Sequence, residues 1–435
     1  MKMKITLLLT TALILASCTK LEDFSGSVKN DLGKGKDLST TNGYSDSQII
    51  VRFEDNLSES EKNDIRKDYG SENNYQPCSC GDPNLELWGI DPNKEPVEFA
   101  VERLRRRPDA EGDFLFDMTI EPIKGYETKG AAGQIEGNLI STITKDRINI
   151  AIIDSGIDYG QPFTDDPFKK PYLYDTSNLT NCDNNITGWN FTDEGAPNDI
   201  LDFNGHGSLV TKIITTQLDN KQYGYSILPV KAFKKNGEGS YWNVVCAFGY
   251  IQKVQAKGGA IDMVNASFGK SIDKILFDPN SLLNTMIDEL GQTGALVVTS
   301  AGNDGLDTDY GSKKHFPSGF ASENILSVGG YKYNTSPYAR MLIHPDSNFG
   351  DISTDVAAPY DGWLVSFGNT SYRDIEGTSF STAYVTGVLG VTSIERGKPN
   401  PRDLKYNFLN NTYGIVHYSN SLISSIANGT YVKLQ

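Results

Sequence analysis

The hydroxyl of Ser379, a serine near the C-terminus, could have either of two roles. Gly377, Thr378 and Ser379 precede a run of small apolar residues that predicts a buried helix. Hydroxyl side chains at a helix start commonly cap unpaired N–H groups. The position also suits a nucleophile, because the N-terminus of a helix stabilises negative charge. Catalysis by Ser379 requires a base, an orienting acid and an oxyanion donor elsewhere in the chain.

Three polar side chains at predicted element ends could supply those groups. Asp154 follows a continuous apolar strand, where an acid is held close to the sheet, although such residues also shape turns. His206, one of only 4 histidines, lies between Gly205 and Gly207, and flanking glycines leave its imidazole unobstructed. Asn303 follows another apolar strand, where its amide could donate to an oxyanion or form a turn.

The segments that must position these groups alternate between strand and helix from about residue 145 to residue 435. The predicted strands are residues 148–153, 225–233, 261–267, 295–301 and 324–330, and the predicted helices are 207–217, 241–258 and 281–294. Nearly continuous apolar strands are typical of parallel sheets covered on both faces. The alternation predicts an α/β fold with a doubly wound, mostly parallel sheet, in which ligands bind beyond the carboxyl ends of the strands.

A smaller unit, residues 46–122, precedes this domain. Its predicted strands are residues 48–53, 85–90 and 114–122, and its predicted helices are 58–70 and 96–108. This order predicts a compact α+β sandwich of the ferredoxin-like class. Residues 123–144 then form a polar linker between the two units.

The N-terminus has the pattern of an export signal. Residues 1–17 contain lysines followed by an apolar stretch too short to span a bilayer. The run from Leu15 to Cys18 resembles a bacterial lipobox, which implies cleavage before Cys18 and lipid attachment to its sulfur. The alternative is an ordinary secretory signal that contains a cysteine. Residues 18–45 predict a flexible tether, so we expect an exported protein anchored by lipid to a membrane, either periplasmic or at the cell surface.

Composition narrows the classes of partner. The chain of 435 residues is 38% hydrophobic and 22% charged, which is typical of a globular protein with two or three domains. Its net charge of −15 argues against nucleic acid as a partner. The remaining cysteines are Cys78, Cys80, Cys182 and Cys246. They allow disulfides whose pairing the sequence leaves open, and their spacing does not predict a zinc site.

Seven motifs occur in the order found in the subtilases, the subtilisin-like serine peptidases, which this chain resembles. They are IAIIDSGID, NGHGS, NASFG, SAGN, SNFG, DVAAP and GTSFSTAYVTG, between about residues 148 and 390. The resemblance implies that Asp154 orients His206, that His206 acts as general base and acid, and that Ser379 is the nucleophile. Asn303 and the backbone N–H of Ser379 would then hold the oxyanion.

The resemblance also implies a substrate site and a zymogen. The implied substrate-binding residues are Ser267, Phe268 and Gly269 on an extended edge, and Ser300, Ala301 and Gly302 on the opposite wall of the first specificity pocket. Such an edge pairs with a polypeptide backbone by strand addition. The ferredoxin-like unit resembles an inhibitory propeptide. We therefore expect the chain to be its own inhibitor until it cuts itself between residues 121 and 145.

The chain departs from the family pattern near the predicted acid. Phe163 stands where an acidic residue often binds a structural calcium ion in the family. Asp183, Asp193 and Glu194 offer carboxylates nearby, but their spacing is not that of an EF-hand. We therefore predict no metal ligands and no required cofactor, with structural calcium left unsupported by a clear site.

Three alternatives remain open from the sequence. A serine endopeptidase of this kind could digest many proteins or could be a dedicated processing protease with few substrates. The scaffold could instead serve a non-catalytic binding protein, although none of the residues needed for catalysis is missing. The N-terminal unit could also stay bound as a permanent inhibitory or chaperone domain.

Overall fold

The protein is described by a computed structural model from residue 43 to residue 434, with short gaps. The gaps are residues 134, 136, 142–145, 164–170, 181, 183–184, 275, 277, 279–280 and 333–340. The predicted export signal, Cys18 and most of the predicted tether lie outside the described residues, as does Asp183.

The N-terminal domain contains two helices on an antiparallel sheet. Its elements are β1 (Gln48–Phe53), α1 (Glu59–Asp68), β2 (Tyr75–Pro77), β3 (Leu85–Gly89), α2 (Val97–Arg105) and β4 (Ala110–Phe114). Among the described residues these four strands pair in the order β2-β3-β1-β4. The element order β-α-β-β-α-β is that of ferredoxin-like folds. Helix α1 begins at a capping box in which Ser58 and Glu61 bond reciprocally.

Two predicted boundaries of this domain are wrong. The apolar run 114–122 is not one strand, because β4 ends at Phe114 and the next strand leaves the sheet. The tether ends earlier than residue 45. Tyr44 and Ser45 are buried, and the Tyr44 ring packs 4.5 Å from that of Phe114, because burying an aromatic ring against the domain is favourable.

The larger domain is built on a wide sheet. Strand β5 (Asp117–Thr119) follows the N-terminal sheet and lies at the end of the N-terminal unit. The strands of the larger domain are β6 (Asn138–Ile140), β7 (Arg147–Asp154), β8 (Tyr172–Tyr174), β9 (Trp189–Asn190), β10 (Gly224–Lys231), β11 (Glu238–Ser240), β12 (Met263–Ala266), β13 (Lys270–Asp273), β14 (Leu296–Ser300), β15 (Lys313–Phe316), β16 (Ile325–Tyr331), β17 (Val356–Pro359), β18 (Trp363–Phe367), β19 (Thr370–Ile375), β20 (His417–Tyr418) and β21 (Thr430–Tyr431). Its helices are α3 (His206–Asn220), α4 (Tyr241–Ala256), α5 (Leu282–Gln292), α6 (Thr378–Glu395) and α7 (Pro401–Leu409).

The central sheet is doubly wound and mostly parallel, as predicted. Eleven of the described strands form it, in the order β20-β21-β17-β16-β14-β12-β7-β10-β8-β6 with β9 beside β10. Successive residues of β7 point to opposite faces. Ile150 and Ile152 enter the apolar cluster with α3 and α6, whereas Ala151 and Ile153 enter the cluster with α4 and α5. Part of the predicted linker, residues 123–144, belongs to this sheet, because strand β6 lies within it and pairs with β8 at the sheet edge.

The N-terminal domain packs on the helices that cover one face of this sheet, and its apolar residues continue the same cluster. Arg52 bonds both oxygens of Glu289 at 3.0 and 2.9 Å. Asp113 accepts a hydrogen bond of 2.9 Å from the hydroxyl of Tyr241, at the start of α4. Within the described chain, disulfides also join the two domains. They pair Cys78 with Cys246 and Cys80 with Cys182.

Across the part of the chain that the structure describes, none of the helices is both long enough and apolar enough to cross a membrane.

Candidate active site

An acid and an imidazole meet at the carboxyl end of the central strand. Asp154 is the last residue of β7 and is buried, as the continuous apolar strand predicts. His206 begins α3, and its Nδ1 lies 2.8 Å and 2.9 Å from the two carboxylate oxygens of Asp154. The backbone N–H of Ser155 donates to the same carboxylate at 2.7 Å. The carboxylate is therefore held in a fixed orientation toward the ring.

The turn before α3 is fixed by a second buried carboxylate. Asp202 accepts backbone N–H bonds from Asn204, Gly205 and Ser208, each of 2.9 Å. Gly205 has φ of +94°, a left-handed conformation that favours glycine. A Cβ on Gly207 would lie 2.3 Å from the carbonyl oxygen of Gly156, so only glycine lets the helix approach the Asp154 loop this closely.

Charge around His206 opposes the effect of its burial. Burial acts to lower the pKa of the imidazole, whereas the carboxylate of Asp154 raises it. Asp202 and Glu121 add further negative charge. The pKa of His206 is therefore raised above its ordinary value of 6.5. The neutral imidazole, which can accept a proton, predominates only at pH values above that raised pKa.

Ser379 lies in the first turn of α6, with its side chain toward the groove that crosses the strand ends. Its hydroxyl donates to the carbonyl oxygen of Ser267 at 2.8 Å, and the Ser267 hydroxyl donates to the carbonyl oxygen of Ser379 at 2.8 Å. The capping explanation of the hydroxyl cluster is wrong. The N-cap is Gly377, which has no side chain to bond the helix, and Ser381 donates instead to the carbonyl of Pro359.

The side-chain amide of Asn303 is oriented by the residue before the serine. Its Oδ1 accepts from the backbone N–H of Thr378 at 2.9 Å and from the Thr378 hydroxyl at 2.8 Å. The Nδ2 donors are consequently the groups that the amide presents to the groove, which Asn303 lines. They lie beside a helix start whose own first N–H groups have no acceptor within the helix. The groove thus carries hydrogen-bond donors next to a hydroxyl.

Five of the six predicted substrate-binding residues line this groove. They are Ser267, Phe268, Gly269, Ser300 and Gly302. Ala301 is instead buried in the wall, where its carbonyl oxygen accepts from the side-chain amide of Asn348 at 3.0 Å.

Sequence reasoning missed a histidine at the bottom of the pocket between these walls. The His315 ring is buried, and burial lowers its pKa to about 4, so it is neutral near pH 7. A Cβ on Gly269 would lie 2.0 Å from its Cε1, and one on Gly302 would lie 2.6 Å from its Nε2. His315 therefore closes the space between the predicted walls. Its isolated position on a short strand gave no periodic signal.

Sequence reasoning also missed a short strand pair next to the groove. Strand β11 pairs antiparallel with β5, whose last residue, Thr119, lines the groove. The N–H of Ile120 then donates to the carbonyl of Gly237 at 2.9 Å. Residues 119–125 line the groove together with His206 and Ser379. The chain leaves past the α3 turn, where the N–H of Ile123 donates to the carbonyl of Asn204 at 3.0 Å.

The residues that depart from the family pattern near Asp154, and the carboxylates close to them in sequence, make other contacts in the structure. Phe163 is fully buried, with its ring 5.3 Å from that of Phe367. Asp193 pairs with Lys234 at 2.7 Å, and Glu194 accepts the backbone N–H of Lys235 at 2.9 Å. Within the described residues no group of three histidine, cysteine or acidic side chains could hold a metal ion.

A doubly wound α/β fold that gathers an aspartate, a histidine, a serine and an oriented amide around one groove defines the class of the α/β serine peptidases. The chain belongs to the Subtilase family (Peptidase_S8), whose model matches residues 145–428.

Similar proteins agree with this assignment. The chain is 24% identical over 390 residues to the thermophilic serine proteinase of Bacillus sp. (strain AK1), covering 82% of this chain and 80% of that protein. It is 27% identical to the major intracellular serine protease of Bacillus subtilis, over 56% of this chain and 67% of that one. In fold it is similar to the epidermin leader peptide processing serine protease of Staphylococcus aureus. That match has a TM-score of 0.56 and 16% identity and covers 89% of this chain and 97% of the other.

Proposed function

We propose that this serine-type peptidase is an endopeptidase made as an exported zymogen, with Ser379 as nucleophile, His206 as general base and acid, and Asp154 as the orienting acid. One observation carries the proposal. Within segment 117–125, residues 117–120 pair antiparallel along β11 as a bound peptide would, and residues 119–125 line the groove beside these side chains. A site that binds extended peptide beside a hydroxyl and an imidazole is suited to peptide hydrolysis.

The proposed mechanism assigns each group a step. His206 takes the proton of Ser379 as Oγ attacks the scissile carbonyl carbon, and the bond to Asp154 keeps Nδ1 protonated and Nε2 free to accept. The oxyanion is held by Asn303 Nδ2 and the backbone N–H of Ser379. His206 then protonates the leaving amine. Water attacks the acyl-enzyme by the same route, which restores the serine hydroxyl.

The zymogen part rests on the path of the chain through the groove. Residues 117–120 cover the edge of β11, so another polypeptide cannot pair there while they remain in place. The stretch beside His206 and Ser379 is residues 119–125, which overlaps the N-terminal end of the region in which we predict self-cleavage. In this proposal the N-terminal domain acts as the intramolecular inhibitor.

A fluorophosphonate probe tests the chemistry directly. Wild type, Ser379→Ala and Ser381→Ala are exposed to the probe and analysed by peptide mass spectrometry, before and after removal of the N-terminal domain. We expect label on Ser379 in wild type and in Ser381→Ala. The second variant is the control, because it removes a different hydroxyl from the same helix. Self-cleavage should be lost only in Ser379→Ala. Wild type that stays unlabelled after removal of the domain would favour the binding-protein alternative.

A dedicated processing role is the second candidate. It is supported by the similarity in fold to a leader peptide processing protease, and the buried ring of His315 restricts the adjoining pocket. Digestion of an unfolded proteome by the mature enzyme separates the two roles. A few cleaved sites with one shared motif would indicate a processing protease, whereas cleavage after many residue types would indicate general digestion.

We also propose that Cys18 carries the lipid and holds the protein at a bacterial membrane. Support comes from the lipobox-like sequence alone. The other four cysteines all form disulfides, so an acyl label on Cys18 can be assigned by a single substitution. Cells fed an alkyne-tagged fatty acid should label wild type but not Cys18→Ser. Equal labelling of both would refute the anchor.

A further inference from the structure

The two disulfides bridge the N-terminal domain and the peptidase domain at one corner of their interface. Cys78 and Cys80 lie in the connection between β2 and β3. Cys78 bonds to Cys246 within α4, and Cys80 bonds to Cys182 in the loop between β8 and β9. The Cα–Cα distances are 5.8 and 5.6 Å, well within the range that disulfides span.

Both bonds cross the predicted processing region in sequence. Each joins a cysteine before residue 121 to a cysteine after residue 145, so a cut anywhere between these positions leaves the two pieces covalently linked. We propose that the processed protein is a two-chain molecule held by both disulfides, and that release of the N-terminal domain requires a dithiol reductant in addition to cleavage. This proposal rests on the proposed function only in one respect, which is that the proposed peptidase activity makes the cut.

The tether changes how well the N-terminal domain can inhibit after cleavage. A cut but free inhibitor is lost on dilution, whereas a tethered one stays at an effective concentration on the order of millimolar. The non-covalent contacts remain available for rebinding, including Arg52 with Glu289, Arg105 with Asp278, and the pairing of β5 with β11. The cut alone therefore leaves the groove largely occupied.

The two bonds differ in their access to a reductant. Cys80 and Cys182 are only partly buried, whereas Cys78 and Cys246 are 6% and 1% exposed. The Nζ of Lys253 lies 3.6 Å from the sulfur of Cys182, and a nearby cation stabilises a departing thiolate. We infer that the Cys80–Cys182 bond is reduced first and that the buried bond follows once the corner has opened.

The chemistry is thiol–disulfide exchange and is balanced for each bond. A thiolate of the dithiol attacks one sulfur, the S–S bond breaks, and a mixed disulfide forms while the second cysteine leaves as a thiolate and takes up a proton. The second thiol of the reductant then attacks the mixed disulfide. Two electrons pass to the protein, both cysteines end as thiols, and the reductant ends as a cyclic disulfide.

The covalent link can be tested without any activity of this protein. A recognition site for an unrelated protease is inserted at residues 131–133, which are exposed, in the Ser379→Ala variant, and the purified protein is cut there. Free thiols are alkylated before denaturing electrophoresis. We expect one band of full mass without dithiothreitol and two fragments with it. Two fragments without reductant would overturn the proposal, whatever the fate of the proposed peptidase activity.

The consequence for activity is tested on wild type that has cut itself. At nanomolar protein, addition of dithiothreitol should raise turnover of a fluorogenic peptide mixture on the order of 10³-fold, as the inhibitor dilutes from its tethered concentration. A variant with all four cysteines changed to serine should be active after the cut without reductant. Full turnover of disulfide-linked, cut wild type would overturn the regulatory part.

The paired variants Cys80→Ser with Cys182→Ser, and Cys78→Ser with Cys246→Ser, test the order of reduction. The variant that retains only the buried bond should release the domain more slowly in dithiothreitol than the variant that retains only the partly exposed bond. Equal rates, or the reverse order, would refute the inferred sequence. The rate at which each bond disappears in wild type, followed by alkylation and mass spectrometry, gives the same comparison if a variant fails to fold.

Discussion

The two domains use buried polar side chains in opposite ways. In the N-terminal domain, buried Glu86 accepts from Arg66 Nε at 2.9 Å and from Trp88 Nε1 at 2.7 Å, so its charge is fully engaged within the domain. In the peptidase domain, the polar groups around Ser379 and Asn303 are oriented by neighbours on one side and face a groove on the other.

The difference shows what each arrangement is for. A buried charge that is left unpaired is destabilising, so closed networks are the usual solution where only shape matters. Groups that face a groove can instead bind developing charge on another molecule. Substitutions in the peptidase groove should therefore alter rates more than folding, and substitutions in the N-terminal domain should alter folding more than rates.

The largest expected effect is the loss of kcat in Asp154→Asn, which tests whether groove residues control rates. The amide can hold the wrong tautomer of His206, and a loss of about 10⁴-fold in kcat is expected from comparable triads. The measurement uses protein cut in the linker and freed of the N-terminal domain. Asp262→Asn is the matched control in the same domain, because its carboxylate pairs with Lys398 at 3.0 Å and does not line the groove, and it should leave kcat unchanged. Equal losses in both variants would show that the groove is no more sensitive than the rest of the peptidase domain.

The next largest effect is expected for Asn303→Ala. Removal of one oxyanion donor lowered kcat by roughly 10²–10³-fold in a related enzyme of this family. We expect the loss in kcat with little change in KM, since the donor acts mainly on the transition state. Thr378→Val, which removes one of the two bonds that orient the amide, should reproduce part of the loss. A change confined to KM would argue that Asn303 only binds substrate.

In the N-terminal domain, Leu104→Ala should act on stability. Leu104 is fully buried on α2, and such truncations cost about 2–5 kcal/mol of unfolding free energy. Hydrogen exchange of intact Ser379→Ala protein should show the loss in β1, β3 and β4. The matched change Leu389→Ala, fully buried on α6, should destabilise the peptidase domain. If Leu104→Ala altered kcat of the released enzyme, the N-terminal domain would have a lasting effect on the site.

A smaller effect is expected for His315→Ala, which should deepen the pocket between the walls around Gly269 and Gly302. We expect selectivity between large and small side chains before the scissile bond to shift by about 1–3 kcal/mol, toward the larger ones. Competition between peptide pairs measures the ratio of kcat/KM. His344→Ala is the control, because that ring stacks on Tyr360. An unchanged ratio in His315→Ala would show that the ring does not limit the pocket.

The smallest expected effect is on the pKa of the His206 imidazole. The raised pKa of His206 predicts that the ring in the intact protein titrates above 6.5, and that kcat/KM of the freed enzyme falls as the pH is lowered through the pKa of that ring, because the protonated ring cannot act as a base. In intact Ser379→Ala protein, Glu121→Gln removes one of the negative charges near the ring and should lower the His206 midpoint in an NMR titration. An unchanged midpoint would indicate that segment 117–125 does not approach the imidazole.

Features set by local patterns were predictable from the sequence. The apolar runs located β7, β14 and β16 to within a residue or two, because strands buried on both faces have almost no polar positions. The candidate residues at their ends followed from the geometry of parallel sheets. The predicted helix 58–70 likewise began at Ser58, which is the N-cap of α1.

Features set by distant contacts were not predictable. Strand β11 is three residues long and is defined by its pairing with β5, which lies more than a hundred residues earlier in the chain. His315 matters only because Gly269 and Gly302 come close to it in the fold. Four cysteines allow three disulfide pairings, and spacing alone does not choose between them.

The pairing of the cysteines also sets a requirement on how the chain is made. The loops are nested, since Cys80–Cys182 lies wholly inside Cys78–Cys246. When the chain is made from its N-terminus, Cys182 becomes available while two candidate partners, Cys78 and Cys80, are separated by a single residue. If Cys182 is oxidised with Cys78 at that moment, the closed loop is two residues too long and Cys80 is left to pair with Cys246. Correct assembly therefore depends on folding of the β2–β3 connection before oxidation, or on an isomerase that repairs the exchange.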